Sequence, residues 1–172
     1  VGANQTLTLQ QDNALTIGSG GVSNILSRAA VNLVVESTSN DVTLDAATWN
    51  ALTVTGATGV ILQGNQTADG GTAVGVINLT ATAGDIDLGD DNLTAFSDMT
   101  LSAQGGGGRI LNATGTISVG NNRTLTLRQD ANLTIGAGGV SNVQNTAAVN
   151  LVVASTGNAL TLANAFTWNS LD

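Results

Sequence analysis

The sequence predicts an all-β fold, a parallel β-helix wound from a single chain. Three observations carry this: a long internal repeat, a shorter period nested within it, and strict alternation inside short apolar runs. The long repeat is plain on alignment. Asn4 to Leu44 reads NQTLTLQQDNALTIGSGGVSNILSRAAVNLVVESTSNDVTL, and Asn122 to Leu162 reads NRTLTLRQDANLTIGAGGVSNVQNTAAVNLVVASTGNALTL. At an offset of 118 residues, 28 of these 41 positions are identical. The match resumes at Trp49–Asn50 and Trp168–Asn169 after a one-residue insertion, so residues 4–54 correspond to 122–172. This reads as one continuous solenoid over residues 1–172, holding about one and a half units of a longer array.

The shorter period is that of a coil. Apolar runs centre near Leu9, Val34, Val54, Leu79, Leu101, Leu127, Val152 and Leu171, spaced by roughly 23 residues on average. A second series follows at Ile17, Leu44, Leu62, Leu88, Leu111, Ile135 and Leu162. Five such coils fill one 118-residue unit, so the two periods agree. Within a run the alternation is two-residue, as in Thr6-Leu7-Thr8-Leu9, Asp85-Ile86-Asp87-Leu88 and Thr124-Leu125-Thr126-Leu127. Turn-forming clusters separate the runs, among them Gly18-Ser19-Gly20-Gly21, Gly89-Asp90-Asp91-Asn92 and Gly120-Asn121-Asn122. Two or three strands per coil, stacked at about 4.8 Å, make a rod roughly 35 Å long.

Composition fits stacking. The chain is 42% hydrophobic, yet it holds only two Trp, two Phe and no Tyr. Repeated layers of Val, Leu and Ile fill one another without aromatic plugs. The chain has no Pro, so every residue can donate to a ladder. With no Cys and no His, disulfides, Cys-based metal sites and the usual general base are excluded. Four basic against twelve acidic residues give a net charge of −8, which repels phosphate backbones and argues against nucleic acid as a partner. No apolar run reaches the ~20 residues of a membrane helix, so membrane insertion of this segment is not expected.

Particular motifs carry a resemblance. Asn78–Ala81, Gly84–Gly89 (GDIDLG), Met99–Ile110 (MTLSAQGGGGRI) and Arg123–Val140 (RTLTLRQDANLTIGAGGV) resemble the repeats of filamentous-haemagglutinin-type adhesins. Those adhesins are exported by two-partner secretion and related autotransporter routes. The resemblance implies right-handed coiling, an extracellular or cell-surface location on a bacterium, and a role in attachment, aggregation or fibre assembly.

Candidate sites are few. Asp85, Asp87, Asp90 and Asp91 form the densest charge and are the candidate Ca²⁺ ligands, since hard cations favour carboxylates. The alternative is a solvated strand face followed by a turn, and the glycine spacing departs from the calcium-binding nonapeptide repeat. No other cofactor is expected. The only carboxylate matched between the two copies is Asp12 with Asp130, a poor basis for the unique acid–base pair of a polysaccharide-degrading enzyme. The chain is therefore read as non-enzymatic. Asn24 and Asn142, and Asn32 and Asn150, are expected to cap turns or stack in ladders. Trp49 and Trp168 are expected to plug a corner of the core, the alternative being a sugar platform. The expected function is a rigid shaft that associates end to end or laterally with like repeats. The alternative is a carbohydrate-binding or polysaccharide-degrading β-helix, with surface glycans as ligands.

Overall fold

A computed structural model describes residues 2–26, 28–71, 74–156, 158–163 and 166–172. It is an all-β solenoid of stacked parallel strands. The first face holds eight strands in the order of the chain: β1 (Gln5–Gln11), β3 (Val31–Ser37), β5 (Ala51–Gly56), β7 (Ile77–Ala81), β10 (Met99–Ala103), β13 (Arg123–Gln129), β15 (Val149–Ser155) and β17 (Ser170–Leu171). The second face holds β2 (Leu15–Ile17), β4 (Val42–Trp49), β6 (Gly59–Ala68), β8 (Asp85–Gly89) and β11 (Ile110–Asn112). A separate pair, β14 (Leu133–Ile135) and β16 (Leu160–Leu162), follows them. The ends of β4 and β6 are continued by β9 (Leu93–Ala95) and β12 (Ile117–Val119), which form a third face. Coils therefore use three strands. No helix is long and apolar enough to cross a membrane among the described residues.

Register follows from alternation. On the first face Leu7, Leu33, Leu52, Ile77, Met99, Leu125, Leu151 and Leu171 stack in one column, so successive coils take 26, 19, 25, 22, 26, 26 and 20 residues. The period of roughly 23 read from sequence is the mean of these unequal steps. A slip of one residue would turn every Leu outward, so the buried face fixes the pairing. Beside this column lie Leu9, Val35, Val54, Leu79, Leu101, Leu127 and Val153. Val34 and Val152, taken from the sequence as run centres, lie one residue off this column and stack on Thr8 and Thr126 of the outward face. Leu111 likewise stacks outward on Asp87, while Ile110 fills the core over Ile86.

One core runs the length of the rod. Interior residues such as Leu33, Leu44, Leu52, Leu79, Leu88 and Leu101 are fully buried. At the ends the same positions are open. Leu160, Leu162 and Leu171 are 45%, 46% and 50% exposed, whereas their first-copy counterparts Val42, Leu44 and Leu52 are completely buried.

Trp49 does plug the core, fully buried, with its indole N–H donating to Gln66 Oε1 at 3.2 Å and the Arg28 guanidinium 5.6 Å from its ring centre. Trp168 is partly buried against the core beside Phe166. The second-face ladder is interrupted once, between β11 and β14. There the Gln129 side chain crosses the gap, its Oε1 accepting from Ile110 N at 3.0 Å and its amide N–H donating to the Asn132 carbonyl.

Candidate functional site

The corners of the solenoid hold most of the polar chemistry, and they are built by side chains that bond across coils. Asp12 accepts from the Thr38 hydroxyl at 2.5 Å, Asp41 from Thr58 at 2.5 Å, Asp90 from Thr114 at 2.7 Å and Asp130 from Thr156 at 2.6 Å. The carboxylate sits in one coil and the hydroxyl in the next. The two copies reproduce the arrangement in detail. Ser37 and Ser155 donate to the Asn13 and Ala131 carbonyls, while Asn40 and Asn158 donate to the Asp12 and Asp130 carbonyls. Asp12 and Asp130, the one carboxylate pair matched between repeats, are thus structural ties between coils. Hydrogen bonds to its charged form from Thr156 and from the Gly105 amide, with the nearby Arg128 charge, hold the Asp130 carboxyl below the usual aspartate value.

Asparagines do the same for the backbone. Asn24 and Asn142 both adopt the left-handed conformation, at φ 59° and 56°, as do Asn4 and Asn122 at 59° and 57°. Asparagine tolerates this region better than other residues with a side chain. Asn32 and Asn150 are stacked, each accepting from the next coil's amide: Asn50 at 2.6 Å and Asn169 at 2.7 Å. A further ladder runs from Asn65, which accepts from Asn92 N, to Asn92, which accepts from Thr116 N and its hydroxyl, each at 2.8 Å.

Asp85, Asp87, Asp90 and Asp91 occupy β8 and the turn after it, and each is directed differently. Asp85 accepts from the Arg109 backbone N–H at 2.8 Å and pairs with its guanidinium at 3.2 Å. Asp87 accepts from Gly89 N at 3.0 Å, and Asp90 holds Thr114. Asp91 donates its backbone N–H to the Leu88 carbonyl. Among the described residues no three acidic groups gather as a metal-ion site.

A shallow groove of about 500 Å³ runs along the second face beside these residues, lined by Asp41, Ile61, Asp85, Asp87, Arg109 and Leu111 and closed at one side by the Gly105–Gly108 loop. Ile61 and Leu111 stack on either side of Asp87, so its floor alternates apolar and acidic groups. Periodicity could not find this groove, because its Arg109 wall depends on coils of unequal length. No family of proteins gives a significant match to the chain, and neither the curated proteins nor the solved structures compared with it do so. What the molecule displays is a ladder-tied rod whose charged groups mostly serve to join one coil to the next.

Proposed function

We propose that this chain is a rigid, non-catalytic shaft segment of a secreted bacterial adhesin or surface fibre. The observation that supports this best is the repetition of the inter-coil ties. Asp12/Thr38/Asn40 and Asp130/Thr156/Asn158 recur 118 residues apart in one uninterrupted first-face ladder. An array of such units gains length without new architecture, since each coil contacts only its neighbours. Continuous backbone pairing along the axis resists bending and proteolysis, and a shaft of this kind holds a binding tip away from the cell. In an array the first-face ladder passes from one unit to the next, so like repeats would join end to end through strand pairing.

A second reading rests on the groove, whose alternating Ile61, Asp87 and Leu111 offer apolar and acidic contacts to a glycan lying along the axis. Immunogold electron microscopy on intact, unpermeabilised source cells tests the shaft reading. Gold along fibrils or a surface coat supports it. Antigen found only free in the medium contradicts it, and glycan-array binding abolished by Asp87→Ala would then favour the groove.

A further inference from the structure

The outward surface of the first face carries a pattern that matches itself when reversed. Column by column, its side chains are short: Thr8, Val34, Thr53, Asn78, Thr100, Thr126 and Val152 stack in one line. With β7 as the midpoint, β1 pairs with β15, β3 with β13 and β5 with β10. Thr8 then lies opposite Val152, Val34 opposite Thr126, Thr53 opposite Thr100, and Asn78 opposite itself. In the adjoining column the same operation sets Glu36 against Arg128, Thr55 against Ser102, and Thr80 against itself.

We infer that this face docks on the same face of a second copy, with the two rods antiparallel about a two-fold axis along β7. Three arguments select that occupant. First, charge: Glu36 and Arg128 lie two rungs either side of β7, about 19 Å apart at ~4.8 Å per rung. The two-fold therefore brings each one opposite its complement twice. Among the described residues the Glu36 carboxylate accepts from the neutral Gln10 amide at 2.9 Å, and Arg128, though its charge is felt at Asp130, forms no ion pair. A parallel arrangement places each rung against its own counterpart and brings Glu36 opposite Asn32 and Arg128 opposite Thr124, so that neither charge faces its complement across the interface. Second, shape: apart from Gln10, Glu36 and Arg128 the side chains of these two columns are short, so two sheets can approach to about the ordinary 10 Å stacking distance. Third, area: seven rungs, each with about three outward residues, cover roughly 500 Å² per copy. That gives about 1,000 Å² in total, at the lower limit for a specific contact. The association is accordingly weak for one pair of segments and strengthens when several units are joined, because the second contact is intramolecular. The inference needs only the fold and holds wherever the shaft operates.

The chain has no cysteine, so single-cysteine variants report the geometry cleanly. Asn78→Cys places its thiol at the two-fold and is expected to give a covalent dimer with a short bis-maleimide. Thr8→Cys places the two thiols at opposite ends of the pair, about 29 Å apart, and is expected not to. In the Asn78→Cys background, Glu36→Arg or Arg128→Glu alone should cut the cross-linked yield about tenfold, and the two together should restore it. Circular dichroism and melting temperature verify that each variant keeps the fold, and the double variant carries the same substitutions as its own control. Equal cross-linking at both cysteines, no dimer at about 100 μM, or yields indifferent to the charge reversals would overturn the inference.

Discussion

The Asp130 carboxylate accepts from Thr156 of the following coil and from the Gly105 amide of the preceding one, so a single side chain ties three coils. Its proton affinity is lowered in the folded state, chiefly by the Thr156 bond, then by Gly105 and Arg128. A depressed carboxyl contributes stability that is fully present above the unfolded aspartate value near 3.9 and is lost as pH falls through the folded value. Asp130→Asn should therefore lower the melting temperature at pH 7, and the gap between variant and wild type should narrow toward pH 3. A gap unchanged with pH would refute the role of the charge. Gln66 shows the neutral counterpart. It is 1% exposed, accepts from the Trp49 indole and donates to the Asp45 and Gly64 carbonyls, each at 2.8 Å. Gln66→Leu strands one donor and two acceptors, and each buried orphan costs about 1–3 kcal/mol. A loss of roughly 3 kcal/mol or more in urea unfolding is the expected result.

Elements differ in how far the sequence announces them. The first face was legible because several of its strands run to seven residues and Thr-Leu-Thr-Leu alternation has one interpretation, whereas in Val-Asn-Leu-Val-Val the outward Val34 is as apolar as its buried neighbours and misplaces the run centre. The third face was not. β9 and β12 have three residues each, too few to show a period, and the third-face ends of β4 and β6 are hidden behind shifts in register after Asp45. The Asp–Thr ties escaped too, since partners 17 to 26 residues apart emerge only when coil lengths are known. Of the site residues, the sequence identified the acidic cluster but not its dispersal into separate bonds. Corners also impose close approach. A Cβ on Gly84 would lie 1.7 Å from the Thr58 carbonyl oxygen of the coil before it. Gly84→Ala must push two coils apart, and a cost of about 1–3 kcal/mol is expected from thermal or urea unfolding.

At the scale of the molecule, a stack of near-identical coils has no natural length of its own. Stability is a sum of coil and neighbour terms, so the interior is uniform while the ends are open. Between β11 and β14 the second-face ladder is interrupted outright. Gln129 spans the gap, and the matching Gln11 of the first copy bonds the Asn13 and Ala14 carbonyls beside it. The first-face ladder passes this discontinuity unbroken. That continuity is what makes a joined array a rod rather than beads on a string. The most direct test is the length of engineered chains carrying one, two and three additional 118-residue units, measured by small-angle X-ray scattering and electron microscopy. Five coils at ~4.8 Å predict an increase of about 24 Å per unit with a constant cross-section. Particles that thicken, bend freely at each unit, or fail to lengthen in proportion would contradict the account.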